Sequence, residues 1–179
     1  MLEGELECWV DGKRITVYPG DTVTAPPGIG HAFHNRADKR ARMITAFPVT
    51  PPETVHIDDP ELEDATEHAA IIRADSRRSA YAAGVDGVDR IELSGSFSGA
   101  KSTYSYFVDI QPGAAMPVET SGSETAVWVF AGEVVSVAEH KYTLATDDGA
   151  VIPAGNQYGY TNEGDGVARL VVVHPFINP

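Results

Sequence analysis

The stretch GDTVTAPPGIGHAFHN, residues 20–35, decides how this chain is read, because a degraded copy follows as DDGAVIPAGNQYGYTN, residues 147–162. Asp21, Pro26, Gly28 and Asn35 recur as Asp148, Pro153, Gly155 and Asn162, each 127 residues on. Further along, Ala41, Arg42 and Pro48 recur at the same offset as Ala168, Arg169 and Pro175. Upstream, Gly4-Glu5 recurs as Gly132-Glu133, a shift of 128, which places a one-residue length change within a hairpin. Ordered identities of this kind mark an internal duplication, and a duplication has to be found before any site is argued.

The flanking residues give the class. Residues 5–10 and 13–17 flank Asp11-Gly12, a strong two-residue hairpin signal. Short β-type runs at 22–25, 31–35 and 41–47 follow, split by glycine and proline. The later half repeats the style at 103–110, 125–131, 133–137, 142–145, 150–152, 158–160 and 168–174. Many short strands between Gly/Pro turns indicate an all-β sandwich or barrel. The middle differs: 48–60 is proline-rich and acidic, and ELEDATEHAAIIRA, residues 61–74, reads as one short connecting helix. Asp59 would be its N-cap and Pro60 would stand in its first turn.

The two copies are unequal. About thirty residues, 101–131, precede Gly132, whereas Gly4 has only Met1–Glu3 ahead of it. The first copy therefore lacks strands and leaves an open sheet edge. Two explanations stand: a chain that is incomplete at its start, or a short form completed by a partner. The expected organisation is a partial barrel over 1–50, a connector over 51–89 and a nearly complete barrel over 90–179. An open edge also predicts a homodimer.

Composition removes several function classes. With 26 acidic against 13 basic residues the chain carries −13, a charge that repels phosphate backbones and anionic lipid. Nucleic-acid and membrane partners are accordingly not expected. The acidic start MLEGELECWV does not resemble a signal peptide, and a single cysteine, Cys8, cannot form an internal disulfide, so a cytoplasmic location is expected.

Residues 20–35, with glycine, proline, histidine and asparagine at spacings of six, five and four, resemble the second motif of the cupin superfamily. The resemblance implies a double-stranded β-helix of jelly-roll type. Over residues 1–50 and 90–179 together it implies a bicupin of quercetin-dioxygenase-like layout. Cupin enzymes bind a divalent metal through two histidines and a glutamate of a first motif and the histidine of the second. In the first copy that second-motif histidine is His31, with Phe33 beside it, and the first motif has no counterpart in the chain. In the second copy, counting from Gly113 and Gly132 places Glu119, Ser121 and Thr125 on the first-motif positions, and Tyr158 replaces the histidine.

One imidazole does not hold a transition metal, which needs three or four donors. The strand after the turn is expected to project His31 into a barrel, so that His31 is either one ligand of a completed site or a buried, hydrogen-bonded histidine. The first barrel is the one place open to a divalent iron, manganese, nickel or zinc ion. None is expected in the second, whose hydroxyls are weak ligands and whose Tyr158 would have to lose a proton of pKa near 10. Phe33, Glu119, Thr125, Tyr158 and Tyr160 are candidates for contact with a small molecule. The functional expectation is a metal-dependent dioxygenase or isomerase acting on a small organic substrate. The alternative is a non-catalytic small-molecule-binding or dimerising cupin without metal.

Overall fold

The computed structural model describes residues 1–47, 53–58, 61–76, 79–82 and 85–175. Among them all regular structure is β apart from two single 3-10 turns, Ala74–Ser76 and Ser96–Ser98. The chain divides into two units, Met1–Arg77 with Ser94–Lys101, and Arg78–Leu93 with Ser102–Pro179. The residues expected to form a separate connector are shared between these units.

In the first unit, β1 (Leu6–Val10) and β2 (Lys13–Val17) form the expected hairpin. Asp11 (φ 51) and Gly12 (φ 75) both adopt the left-handed backbone that a tight two-residue turn requires. Two more strands complete the copy, β3 (Thr22–Val23) and β4 (His31–His34), and β4 pairs antiparallel with β1. Leu6, Cys8, Val10, Ile15 and Val17 alternate inward and, with Ala70 and Ile71, form the core of this unit.

The expected helix over residues 61–74 is corrected by the structure. Glu63–Asp64 (β5) pairs parallel to β2, and Ile71–Ile72 (β6) pairs antiparallel to β3. The expected cap residues Asp59 and Pro60 lie outside the described residues. The physical reason lies at β3: among the described residues it pairs with no strand of its own copy, and a strand of β-branched isoleucines both satisfies its backbone groups and buries Ile71. Tertiary pairing overrides the local preference for helix. Asp21, only 4 % exposed, fixes this segment: it accepts from Arg73 Nη1 at 2.6 Å and from the Ala74 backbone N–H at 2.9 Å. Arg73 also donates to the carbonyls of Thr16 and Thr66.

The second unit runs β7 (Ser79–Ala82), β8 (Val88–Ser94), β9 (Thr103–Ile110), β10 (Glu119–Thr120), β11 (Thr125–Ala131), β12 (Glu133–Ser136), β13 (Thr143–Ala145), β14 (Gly149–Ile152), β15 (Gln157–Tyr158), β16 (Tyr160–Thr161) and β17 (Ala168–Pro175). Its six-stranded sheet has the order β14-β11-β17-β9-β8-β7; β13-β12-β16 form a second sheet and β10-β15 a third. Inward residues of these sheets, among them Val108, Ile110, Val127, Val129, Val134, Tyr160, Leu170 and Val172, share one core.

The duplication is visible as repeated geometry. Leu6 faces Val17 across β1–β2 as Val134 faces Leu144 across β12–β13. Cys8 faces Phe33 as Ser136 faces Tyr160. Asn35 donates to the Lys39 carbonyl and accepts from the Ala37 N–H; Asn162 does the same with Gly166 and Gly164. Asp21 and Asp148 each accept the backbone N–H three residues earlier. Gly4 and Gly132 both have positive φ, and a Cβ there would stand 3.0 Å from the Cα of Ala41 or Ala168.

Candidate functional site

Strand alternation selects which side chains meet inside the second unit. Thr125 shares the inward parity of Val127 and Val129 on β11. His174 shares that of Leu170 and Val172 on β17, and Tyr106 that of Val108 and Ile110 on β9. The β10–β15 pairing sets Glu119 directly opposite Tyr158. Arg90 reaches the same place from β8.

These six residues form a polar patch at one end of an otherwise apolar core. Arg90 Nη2 donates to Glu119 Oε1, and the Tyr158 hydroxyl donates to Glu119 Oε2 at 3.0 Å. The Arg90 guanidinium stacks over the Tyr106 ring, 5.1 Å from its centroid. The Tyr106 hydroxyl meets His174 Nε2 at 3.0 Å, and His174 Nδ1 meets Thr125 Oγ1 at 2.9 Å. Thr125 continues to Ser121 Oγ at 2.5 Å, and Ser121 donates to the Ser123 carbonyl. A neutral imidazole carries one N–H, so both His174 contacts run in the same direction along this row of hydroxyls.

The electrostatics keep the row uncharged. Burial pushes the Tyr158 hydroxyl far above its ordinary value, and the neighbouring Tyr106 and Glu119 push it further. Burial likewise raises Tyr106, against the pull of Arg90. His174 is held below the usual histidine range, first by burial and also by Arg90, with Glu119 opposing. Near neutral pH the charges of the six residues are therefore the Arg90 guanidinium and the Glu119 carboxylate, set against each other. Glu119 is also the outlet, with 32 % of its side chain exposed.

The residues expected to contact a ligand fall into three places. Glu119, Thr125 and Tyr158 come together in this network. Tyr160 lies in the core instead, its hydroxyl 3.0 Å from that of Tyr142. His31 and Phe33 stand side by side in the first unit, ring centroids 6.5 Å apart, with Phe33 half-buried. The expectation that β4 carries His31 into a barrel interior is corrected: His31 is exposed, and its Nδ1 contacts the Ile29 carbonyl at 3.1 Å. The strands that would close over it in the second unit have no counterpart among the described residues of the first.

Neither place fits a metal ion. Around Glu119 a cation would meet the Arg90 guanidinium, which already balances the carboxylate. Ser121 and Thr125 offer neutral hydroxyls already hydrogen-bonded, and Tyr158 is far from ionising, so the donor chemistry is wrong for a transition metal. Around His31 no group of three or more His, Cys, Asp or Glu side chains suited to a metal occurs among the described residues.

Sequence reasoning missed Arg90, Tyr106 and His174. The signal for two of them was available. His174 and Tyr106 sit on the inward parity of strands read correctly, where a histidine or tyrosine among valines and leucines marks a polar spot inside the barrel. Arg90 had no such signal, because the register of β8 is set only by the folded sheet.

A family model for the cupin domain matches residues 1–47 and 106–174. The chain is similar to the solved structure of the polyketide cyclase RemF from Streptomyces resistomycificus (TM-score 0.48, 19 % identity, 51 % of this chain and 67 % of that one). It is similar to a sugar phosphate isomerase of the cupin superfamily from Silicibacter pomeroyi (TM-score 0.48, 26 % identity, 56 % and 71 %). A cupin superfamily protein from Desulfitobacterium hafniense matches at a TM-score of 0.45 and 15 % identity, over 56 % of this chain and 92 % of that one. None of the curated proteins matches the chain. No helix among the described residues is long and apolar enough to cross a membrane.

Proposed function

We propose the following function for a chain that belongs to the cupin domain family: the jelly-roll barrel of its second unit binds a small organic molecule without a metal, at the mouth formed by Glu119, Arg90 and Tyr158. One observation carries this reading. The positions where the cupin resemblance implies metal ligands hold a hydrogen-bonded set of neutral hydroxyls closed by an arginine–carboxylate pair. Ligand sites combine an apolar body with a few convergent polar groups, and this end of the barrel supplies both. The metal-dependent dioxygenase expectation finds no set of donors among the described residues to support it, in either copy.

The test is a fragment screen on the full chain by saturation-transfer NMR, repeated with Tyr158→Phe, which removes the hydroxyl that donates to Glu119. Several fragments should bind at millimolar or better affinity, with weaker signals in the variant. A library with no binders, or binders indifferent to Tyr158→Phe, contradicts the reading.

For assembly we propose the homodimer that an open edge favours. Support comes from the first unit, where Met43, Ile44 and Phe47 stand exposed. A monomer in sedimentation at micromolar concentration overturns it.

A further inference from the structure

The charge arrangement at the mouth of the second barrel narrows the class of ligand, an inference that rests on the binding function proposed above. The accessible part of the network is an ion pair. Arg90 carries the local positive charge, and it is spent on Glu119 Oε1. Two residues along β8, Glu92 accepts the Tyr104 hydroxyl at 3.2 Å and adds a second carboxylate on the same face of that strand. Tyr104, Tyr106, Tyr158 and His174 contribute no charge. An entering carboxylate or phosphate would have to draw Arg90 away from Glu119 and leave that carboxylate uncompensated beside it.

The hydrogen-bonding capacity left over describes the complement. Each Glu119 oxygen accepts one bond from the protein and has room for another, so the partially exposed carboxylate can receive a hydroxyl. Arg90 is already matched by Glu119, so an entering group needs no charge of its own. The geometry points to an uncharged ligand that offers a hydroxyl to Glu119, such as a sugar or a phenol. Phosphorylated and carboxylated forms of the same skeleton are excluded by Glu119.

Matched probes test this. Affinities of the full chain are measured by ligand-observed NMR for catechol against 3,4-dihydroxybenzoate, and for D-ribose against ribose 5-phosphate. At least one neutral probe should bind ten times more tightly than its anionic partner. Glu119→Gln keeps an acceptor at this position but frees the Arg90 charge, so the same ratio should fall at least tenfold, toward or past unity. Circular dichroism and thermal melting confirm that the variant is folded; Glu119→Asp, which keeps the charge, should retain the wild-type ratio. An anionic probe that binds the wild type as well as its neutral partner overturns the inference, as does a ratio unmoved by Glu119→Gln. Failure of both neutral probes to bind also overturns the ligand class, whereas the binding function itself stands or falls by the fragment screen.

Discussion

The two copies of the motif share their turns and hairpins but not their interiors. Asn35 and Asn162 make the same pair of backbone contacts, and Leu6–Val17 repeats as Val134–Leu144. Past these elements the copies part. Residues 170–174 form the middle of β17, held between β9 and β11, with Leu170 and Val172 fully buried. Their equivalents, residues 43–47, form no strand, and Met43 and Phe47 are 41 % and 54 % exposed. His31 is exposed where Tyr158 is buried. The difference teaches that turn and hairpin geometry is encoded within a dozen residues, whereas an inward-facing site exists only where distant strands close over it.

Equivalent positions supply paired experiments on this contrast. The largest gap is expected between Leu170→Ala and Met43→Ala. Truncating a fully buried leucine costs about 2–5 kcal/mol, and an exposed methionine less than about 0.5 kcal/mol, read by denaturant unfolding. Unfolding is followed at a dilution where the proposed dimer is dissociated, and similar costs at both sites there would mean that residues 43–47 are packed within the single chain.

A smaller gap separates Asp21→Ala from Asp148→Ala. Both remove a turn hydrogen bond worth about 1 kcal/mol, but Asp21 also leaves Arg73 without its carboxylate. The first should cost about 3 kcal/mol, the low end for breaking a buried pair because Arg73 is partly exposed, and should release β6 from exchange protection. Equal losses would mean that the Arg73 clamp adds nothing to the first unit.

The smallest effect is one of pH. The folded pKa of His174 lies below its ordinary value of 6.5, so the unfolded chain binds the proton more readily. The contribution is complete above about pH 6.5 and is lost as pH falls from there toward the folded pKa. His174→Gln should flatten stability against pH in that window, and an unchanged slope would show that the folded protein leaves the imidazole free to protonate.

Much of this was legible in the sequence for a physical reason. Asp11-Gly12, Gly4, Gly132 and the paired asparagines act through local backbone conformation, which residue type fixes directly. Counting along strands also brought Glu119, Thr125 and Tyr158 to one place. The helix expected at 61–74 failed because Ile71 and Ile72 answer to β3, some fifty residues away, and not to their neighbours. Tyr106 and His174 are 68 residues apart, and their contact follows from the β9–β17 register, which no local pattern encodes. Arg90 is further still from local rules, its position depending on β8 joining the same sheet.

The central claim is that the second barrel, and not the exposed His31, carries the ligand site. It is tested most directly by measuring the affinity of one fragment from the screen for the wild type, Tyr158→Phe and His31→Ala side by side. Tyr158→Phe removes the hydroxyl that orients Glu119 and should weaken binding about fivefold to tenfold, the equivalent of about 1–1.4 kcal/mol, while His31→Ala leaves it unchanged. Binding lost in His31→Ala and retained in Tyr158→Phe would contradict the account.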